Sequence, residues 1–305
     1  MDFFIFIIAM TSLIIGADLL IDESEKIANK KKISPFIIGA TLIALGTSLP
    51  EMVTSVNASM KGMGDIVISN VIGSTIFNIA LVLGIVFLIS KKMEPKRDLF
   101  AKDSSWALFP IFIFILMGLD GVISRFEGFL LLFLMVAYIL FLFQTNQIEE
   151  DLEEELDSSK VTIKTYLLII LGLGMVVIGA DYTIDSAKNI SIVFGLSEWV
   201  IGMFLIAFGT SLPELVVGIK AALKNKADMA IGAIIGSNVA NFSIVIGGSA
   251  LINNLNVNFA LNLFDILTAL IVTLMLVFIT ANKLYNKSAG IVLLMVLVLT
   301  IHNVI

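Results

Sequence analysis

The sequence contains no cysteine and only one histidine, His302. The missing thiols exclude a disulfide framework and a thiolate metal site, and the single histidine argues against a zinc metalloprotease of the His-Glu-x-x-His type. Charged residues make up only 14% of the 305 positions, whereas hydrophobic residues make up 58%. A soluble domain of this size would need more polar surface, so we expect a membrane protein.

Apolar runs of about 20 residues, the length that a membrane-crossing helix needs, follow one another along the chain. The first residues, Met1–Ile5, lack the basic segment and the cleavage site of a signal peptide, so we interpret them as part of the first span. We therefore predict an all-α membrane protein with ten transmembrane helices. The predicted helices cover residues 3–21, 34–60, 65–90, 104–120, 124–144, 163–184, 197–222, 228–252, 259–281 and 287–304.

The two halves of the chain repeat each other. A shift of 163 positions aligns Gly16–Gly84 with Gly179–Gly247 without a gap, and roughly two residues in five are identical. Because each half holds five predicted helices, an odd number, the second half must enter the membrane from the opposite side. Such inverted-topology repeats are typical of transporters. We divide the chain into a first repeat (1–145), an acidic linker (146–162) and a second repeat (163–305).

Charges are distributed unevenly along the chain. The linker holds an acidic run at 149–157, which we interpret as a solvated connection, with a cation-sensing segment as the alternative. Lysine and arginine concentrate in the loops on one side of the predicted membrane, whereas the other side holds only Lys61, Arg125 and Lys188. Since these residues favour the cytoplasmic side, we predict a multi-pass protein of the cell membrane. Both termini would be extracellular and the linker cytoplasmic.

One stretch of six residues occurs twice, as Gly46–Glu51 and Gly209–Glu214, and reads Gly-Thr-Ser-Leu-Pro-Glu both times. The copies lie inside the second and seventh predicted helices, where polar groups are costly and therefore indicate function. The proline lacks an N–H and clashes with the carbonyl four residues earlier, so we predict that both helices are broken there and free carbonyl oxygens. Glu51 and Glu214 would each add a negative charge.

The third and eighth predicted helices carry a second set of polar residues. Ser74 and Asn78 are four positions apart and share a helix face, and Ser237 and Asn241 repeat this spacing. With the repeated stretches they supply carboxylate, hydroxyl, amide and carbonyl oxygens but no sulfur or imidazole. Such a set suits the hard cations Na⁺, K⁺ and Ca²⁺, with Mg²⁺ as a further alternative. Two carboxylates balance the charge of one divalent ion or of two monovalent ions. This equivalence is the physical basis for exchange, because a site without ions would leave both carboxylates unpaired in a low dielectric.

Other residues of the repeats receive structural interpretations. Gly73 and Gly236 are predicted to let the third and eighth helices approach the broken helices closely. Asp18 and Asp181 are interpreted as interfacial or packing acids, with a role in gating as the alternative. N-capping is predicted for two acids at helix starts, Asp65 and Asp228.

These motifs resemble the two signature repeats of sodium/calcium exchangers. Gly39–Glu51 is similar to the first signature, and Gly209–Glu214 with Gly236–Asn238 is similar to the second. The resemblance covers essentially the whole chain, and the paired motifs are specific to the calcium/cation antiporter superfamily, of which the chain is identified as a prokaryotic member. It implies ion sites between the second, third, seventh and eighth helices. It also implies that the first and sixth helices slide past this core to alternate access.

The resemblance further implies a role for each site residue. Glu51 and Glu214 would be the central calcium ligands, and Thr47 and Thr210 would add main-chain oxygens. The sodium sites would use Ala44, Ser48 and Ser74 on one side, and Ala207, Ser211 and Ser237 on the other.

Two amides bear on the coupling ion. Asn241 occupies a position where potassium-dependent exchangers, and some prokaryotic relatives, carry Asp. With Asn78 at the equivalent position of the first repeat, the chain has an amide at both positions, as potassium-independent animal exchangers do. This implies two negative charges at the site and potassium independence. The Gly-Asn-Ala-x-Glu repeat expected of proton/calcium exchangers does not occur in the sequence.

We therefore expect a secondary active antiporter that exchanges Na⁺ for Ca²⁺ by alternating access, electrogenic and independent of K⁺. No catalytic site, cofactor, nucleic acid or protein partner is implied. The alternative within the same fold is a cation/Ca²⁺ antiporter coupled to H⁺ or K⁺, because a carboxylate pair can carry protons as well as Na⁺. An intramembrane enzyme would need a Ser-His or Asp-Asp pair in suitable segments, and the absence of such a pair disfavours it. A channel usually relies on oligomeric symmetry rather than on internal inverted repeats.

Overall fold

The chain is built almost entirely of helices where its structure is described, which is at residues 2–90, 95–146, 161–193 and 209–304 of a computed structural model. Ala207, the acidic run 149–157 and the first part of the seventh predicted helix lie outside these residues. The first half contains α1 (Asp2–Lys31), α2 (Pro35–Thr47), α3 (Leu49–Met60), α4 (Gly64–Ile89), α5 (Leu99–Met117) and α6 (Arg125–Gln144). The second half contains α7 (Ile163–Val193), α8 (Leu212–Leu223), α9 (Ala227–Ile252), α10 (Phe259–Ala281) and α11 (Lys287–Val304).

Most of these helices have the length and composition of membrane spans. In the described ranges, seven helices are long and apolar enough to cross a membrane. The pair α2 and α3, bent by 46°, makes an eighth if it is counted as one broken span. The last helix, α11, is apolar but shorter. An all-helical membrane protein was predicted, and these helices agree with it. The count of ten and the inverted order of the halves stay predictions.

The bend between α2 and α3 lies at Ser48, inside the first copy of the repeated stretch. Pro50 is the second residue of α3, where its missing N–H leaves no helical hydrogen bond unmade. In the second copy, α8 likewise begins at Leu212, and Pro213 is its second residue. The proline therefore starts a new half-helix in both halves, as the sequence predicted.

The first helix extends ten residues beyond its predicted end at residue 21 and reaches Lys31. The prediction ended where the apolar run ends, and charged side chains on the added turns form ion pairs. One example is Asp22, whose Oδ1 accepts a hydrogen bond from Lys224 Nζ at 2.6 Å, beside the end of α8. The end of an apolar run is thus not always the end of the helix.

The helix α9 lies at the centre of the molecule and is buried along most of its length. It packs against α2 at Gly236, where an added Cβ would collide with the carbonyl oxygen of Ala40. At Gly73 of α4, no atom of the described residues outside its own helix lies within 4 Å of such a Cβ. The predicted close approach is therefore confirmed for Gly236. For Gly73 it stays a prediction, because the counterpart of Ala40 is position 203, which lies outside the described residues.

The acids Asp65 and Asp228 do not cap α4 and α9. The N-cap residues are Met63 and Lys226, whose side chains make no capping hydrogen bond, and the two acids lie inside the first turns. Asp228 instead accepts hydrogen bonds from the backbone N–H groups of residues 96 and 97, at 3.0 Å and 3.1 Å. The N-cap prediction is wrong because Asp228 holds the loop before α5 against α9.

A buried ion pair fixes the same side of the molecule. Arg97 donates from Nε to Asp103 Oδ2 at 2.6 Å and from an Nη to Oδ1 at 3.1 Å, a bidentate geometry that restricts both side chains. The guanidinium also bonds the carbonyl and the hydroxyl of Thr145, beside the end of α6, and lies 4.9 Å from the ring centre of Phe36. This cluster joins α2, α5 and α6.

A short antiparallel strand pair links the two halves at the other end of α5. Strand β1 (Val122–Ile123) pairs with β2 (Leu255–Asn256). Before β1 the chain turns at Gly121, whose φ of 87° is a left-handed conformation that favours glycine. The sequence analysis did not predict these strands, because two residues are too few to show an alternating pattern.

Candidate cation site

The two copies of the repeated stretch meet in the core, and both of their acids are buried. Glu51 has no exposed surface, and Glu214 is 3% exposed. Each acid lies directly after the proline, in the first turn of α3 or α8. Ser48 Oγ donates a hydrogen bond to Glu214 Oε1 at 3.3 Å, so the two repeats are in direct contact at this point.

Hydroxyls of α4 and α9 form matched hydrogen bonds with the two carboxylates. Ser74 Oγ donates to Glu51 Oε1 at 3.4 Å, and Ser237 Oγ donates to Glu214 Oε1, also at 3.4 Å. The partners are 23 positions apart in both cases, so the geometry of one half is repeated in the other. The structure thus brings the predicted serines of α4 and α9 to the predicted acids.

The carbonyl of Ala44 belongs to the same cluster but is not free. It accepts hydrogen bonds from Ser48 N–H at 3.0 Å and Thr47 Oγ1 at 3.3 Å, and it lies 3.4 Å from Ser237 Oγ, whose single hydrogen it shares with Glu214 Oε1. The break at the proline was predicted to free carbonyls here, and at Ala44 neighbouring donors occupy this oxygen instead.

The predicted amides, Asn78 and Asn241, lie in π-helical segments at equivalent positions of α4 and α9. These segments are Phe77–Leu83 and Asn241–Ile246, and such segments are frequent at functional sites. Both amides are fully buried. Asn78 Nδ2 donates to Asn238 Oδ1 at 3.0 Å, which makes a second contact between the halves.

The turn before α8 holds two further predicted residues. Thr210 Oγ1 donates to Asn70 Oδ1 at 3.5 Å. Ser211 is buried, and its Oγ has no hydrogen-bond partner in the described part of the chain. The predicted ligand Ala207 lies outside that part, so its role stays a prediction.

Several buried polar atoms around the carboxylates have no partner among the described residues. Since buried polar atoms are normally paired, a cluster of unpaired ones fits a bound ion or water. No third acid, histidine or cysteine of the described ranges forms a metal-binding group with the two carboxylates, so neutral oxygens would complete the coordination of a cation. The unpaired atoms at this site are Glu51 Oε2, Glu214 Oε2, Asn78 Oδ1, Ser211 Oγ, Asn241 Oδ1 and Asn241 Nδ2.

Two amides of the site, Asn70 and Asn238, were not among its predicted residues. Asn70 lies four positions before Ser74, so the same spacing that identified the polar face of α4 could have identified it. Asn238 directly follows Ser237 and was part of the motif that carried the resemblance, but it received no role.

The sequence matches the profile of the family described as "Sodium/calcium exchanger protein" over residues 1–144 and 164–305. It is 36% identical over 299 residues to an uncharacterized membrane protein of Methanocaldococcus jannaschii, an alignment that covers 98% of this chain and 96% of that protein. It is 30% identical over 338 positions to the sodium/calcium exchanger MaX1 of Methanosarcina acetivorans, covering 96% and 95%. The fold matches a solved structure of the sodium-calcium exchanger NCX_Mj soaked with 10 mM Na⁺ and zero Ca²⁺. The TM-score is 0.86 and the identity 34%, over 99% of this chain and 98% of that one.

Proposed function

Because this chain belongs to the sodium/calcium exchanger family, we propose that it is a secondary active antiporter that exchanges Na⁺ for Ca²⁺ across the cell membrane. The observation that carries the proposal is the pair of buried acids, Glu51 and Glu214, each with one carboxylate oxygen that has no partner among the described residues. An unpaired carboxylate in a membrane is costly. A cation at this position would balance the two charges and complete the coordination of both acids.

We assign the transported ions to the oxygens that surround these acids. The carboxylates of Glu51 and Glu214 hold Ca²⁺ together with main-chain oxygens of Thr47 and Thr210. Na⁺ ions take the same carboxylates with serine hydroxyls and main-chain carbonyls of both repeats. The neutral oxygens of this assignment come from Ala44, Ser48, Ser74 and Asn78, and from Ala207, Ser211, Ser237 and Asn241.

Exchange follows from the cost of an empty site. Without a cation, the two carboxylates repel each other in a low dielectric, so a change of access is easier when ions neutralise them. Ca²⁺ and Na⁺ therefore replace each other instead of leaving the site empty. More than two Na⁺ ions per Ca²⁺ would make the cycle electrogenic.

The helix pair α1 and α7 is the element that we propose to move. The two helices pack together so closely that an added Cβ on Gly16 would lie 2.8 Å from the carbonyl oxygen of Gly172. Backbone contact through small residues joins the two helices into one unit. This unit lies beside the core of α2, α3, α4, α8 and α9, and its displacement would open the site to one side and then to the other.

The amides Asn78 and Asn241 support exchange that is independent of K⁺. Both are neutral and buried, so the site has two negative charges from its acids and no third carboxylate among the described residues. The alternative is a cation/Ca²⁺ antiporter coupled to H⁺ or K⁺. Carboxylates can carry protons, so only a flux measurement separates the two.

The test uses purified full-length protein in proteoliposomes and follows ⁴⁵Ca²⁺ uptake under separately imposed gradients of Na⁺, K⁺ and H⁺. We expect uptake to require Na⁺ inside the vesicles. We also expect it to respond to a membrane potential, which is imposed by valinomycin and a K⁺ gradient with choline as the replacing cation. Removal of K⁺ at zero imposed potential should leave the uptake unchanged. Uptake that ignores Na⁺ and follows the pH gradient would contradict the proposal in favour of the proton-coupled alternative.

A further inference from the structure

The polar face of α4 extends one helical turn beyond the proposed ion ligands. Asn70 lies four residues before Ser74, which is about one turn, so the two side chains share a face. The equivalent position of α9 is Ala233, four residues before Ser237. The first repeat therefore carries a polar side chain where the second repeat has a methyl group.

The Asn70 side chain joins the two broken helices. Its Nδ2 donates to the main-chain carbonyl of Glu51 at 3.3 Å and to Ser55 Oγ at 2.9 Å, both on α3. Its Oδ1 accepts a hydrogen bond from Thr210 Oγ1 at 3.5 Å, on the turn before α8. A single amide thus contacts the first turns of α3 and the turn that precedes α8.

The equivalent threonine of the first repeat, Thr47, has no amide partner among the described residues. Its hydroxyl donates to the carbonyl of Ala44 in its own helix at 3.3 Å and is also within hydrogen-bonding reach of the Glu214 carboxylate. Ala233 has no polar atom on its side chain, and the counterpart of Ser55 is Gly218. An amide of α4 therefore holds the threonine of the second repeat, whereas no amide of the described residues holds Thr47.

We propose that Asn70 is a positioning residue for ion exchange that acts on one face of the membrane only. Since it precedes Ser74 along α4, it lies between the carboxylates and the face at which α4 begins. An ion that enters from this face passes the amide before it reaches Glu51. The amide holds the Glu51 carbonyl and the Thr210 turn in the geometry that receives the ion. In the inverted arrangement, an ion from the opposite face passes Ala233 instead.

This inference rests on the proposed exchange function, and its test measures the KM for Ca²⁺ on each face separately. The full-length protein is assayed for Na⁺-dependent ⁴⁵Ca²⁺ flux in right-side-out and in inverted membrane vesicles. For Asn70→Ala we expect the KM for Ca²⁺ to rise about threefold to tenfold on the face where α4 begins, as the loss of one or two hydrogen bonds predicts. The KM on the other face and the maximal rate should stay within about twofold of wild type, because both carboxylates remain.

A second variant tests whether Asn70 acts through Thr210. Thr210→Val removes the hydroxyl but keeps the main-chain oxygen, and we expect a rise in KM on the same face. The double variant should show less than the product of the two single effects, because both substitutions remove the same contact. Thr210→Val also tests the inference if Asn70→Ala fails to fold. The matched control is Ser69→Ala, because the exposed Ser69 donates only to Ile66 O of its own helix, at 3.2 Å; it should leave both constants unchanged.

The outcomes separate this inference from the proposed function. An equal change of KM on both faces, no change on either face, or fully multiplicative effects of the two substitutions would overturn the role of Asn70 while exchange itself stands. Wild-type vesicles without Na⁺-dependent Ca²⁺ flux would overturn the proposed function, and this inference with it.

Discussion

The two repeats use the same six residues at the site but differ in the charges near the membrane faces. On the face where α1 and α8 end, α1 packs on α8 and a ladder of ion pairs joins them. Lys220 Nζ lies 2.8 Å from Asp18 Oδ2, and Lys224 Nζ lies 3.1 Å from Asp18 and 2.6 Å from Asp22. Asp18 was interpreted as an interfacial or packing acid, and it is part of this ladder.

The second repeat has no such ladder among its described residues. Its equivalent acids, Asp181 and Asp185, are exposed, and the counterparts of the two lysines are Asn57 and Lys61. Within the described ranges, α7 does not pack extensively on α3, whereas α1 packs on α8. In this structure, ion pairs of this kind therefore join the described helices on one face only, although the residues at the site are duplicated.

The largest expected effect concerns the residues that the repeats share. We expect Glu51→Gln and Glu214→Gln each to lower Na⁺-dependent Ca²⁺ flux on the order of 100-fold, because each removes one of two charges that balance the ion. The control is Asp265→Asn, which neutralises an acid of α10 outside the described site. The measurement is ⁴⁵Ca²⁺ flux, with size-exclusion chromatography to verify folding. Normal exchange in either glutamine variant would contradict the equivalence of the two copies.

A medium effect is expected from two glycines at equivalent positions. Gly236→Ala places a Cβ against the carbonyl of Ala40, so we expect a loss of stability of about 1–3 kcal/mol and a lower Tm. The equivalent neighbour of Gly73 is position 203, outside the described residues, and the repeat predicts a similar fall in Tm for Gly73→Ala. Thermal unfolding of the two purified variants checks this, and an unchanged Tm for Gly73→Ala alone would show that the two helices pack differently.

The smallest effect is expected from the ladder itself. Replacing both lysines, Lys220→Gln with Lys224→Gln, should make the face where α1 ends easier to open. The KM for Ca²⁺ should then fall on that face and rise on the other, with a change in their ratio of about twofold to fivefold, because partly exposed ion pairs contribute little each. Lys26→Gln is the matched control, since Lys26 pairs with Glu23 inside α1 at 2.7 Å. An unchanged ratio in the double variant would mean that the ladder does not favour either face.

The sequence predicted the features that depend on local chemistry. Pro50 and Pro213 follow a simple steric rule, and the half-helices begin where that rule places them. The spacing of Ser74 and Asn78 placed both side chains on one face, and the structure brings Ser74 to Glu51. Helix periodicity and proline geometry require no knowledge of distant residues, which explains this agreement.

Features that depend on distant contacts were not predictable in this way. Gly236 meets the backbone of α2 at Ala40, a contact between distant parts of the chain that its local sequence does not show. Asp228 looked like a helix cap until the loop before α5 provided better donors. The π-helical segment at Asn241 also has no signal in hydropathy, since its residues are as apolar as those of an ordinary helix.

The hydrogen bond between Ser48 and Glu214 has a consequence for the synthesis of the protein. The two residues are 166 positions apart, so Ser48 is made and inserted into the membrane long before its partner exists. Until then, Glu51 lies in its helix without the residues of the second repeat that surround it in the complete protein. The ion site is therefore among the last parts of the molecule to form, and a ribosome that stops after the first repeat would leave a lone acid in the bilayer.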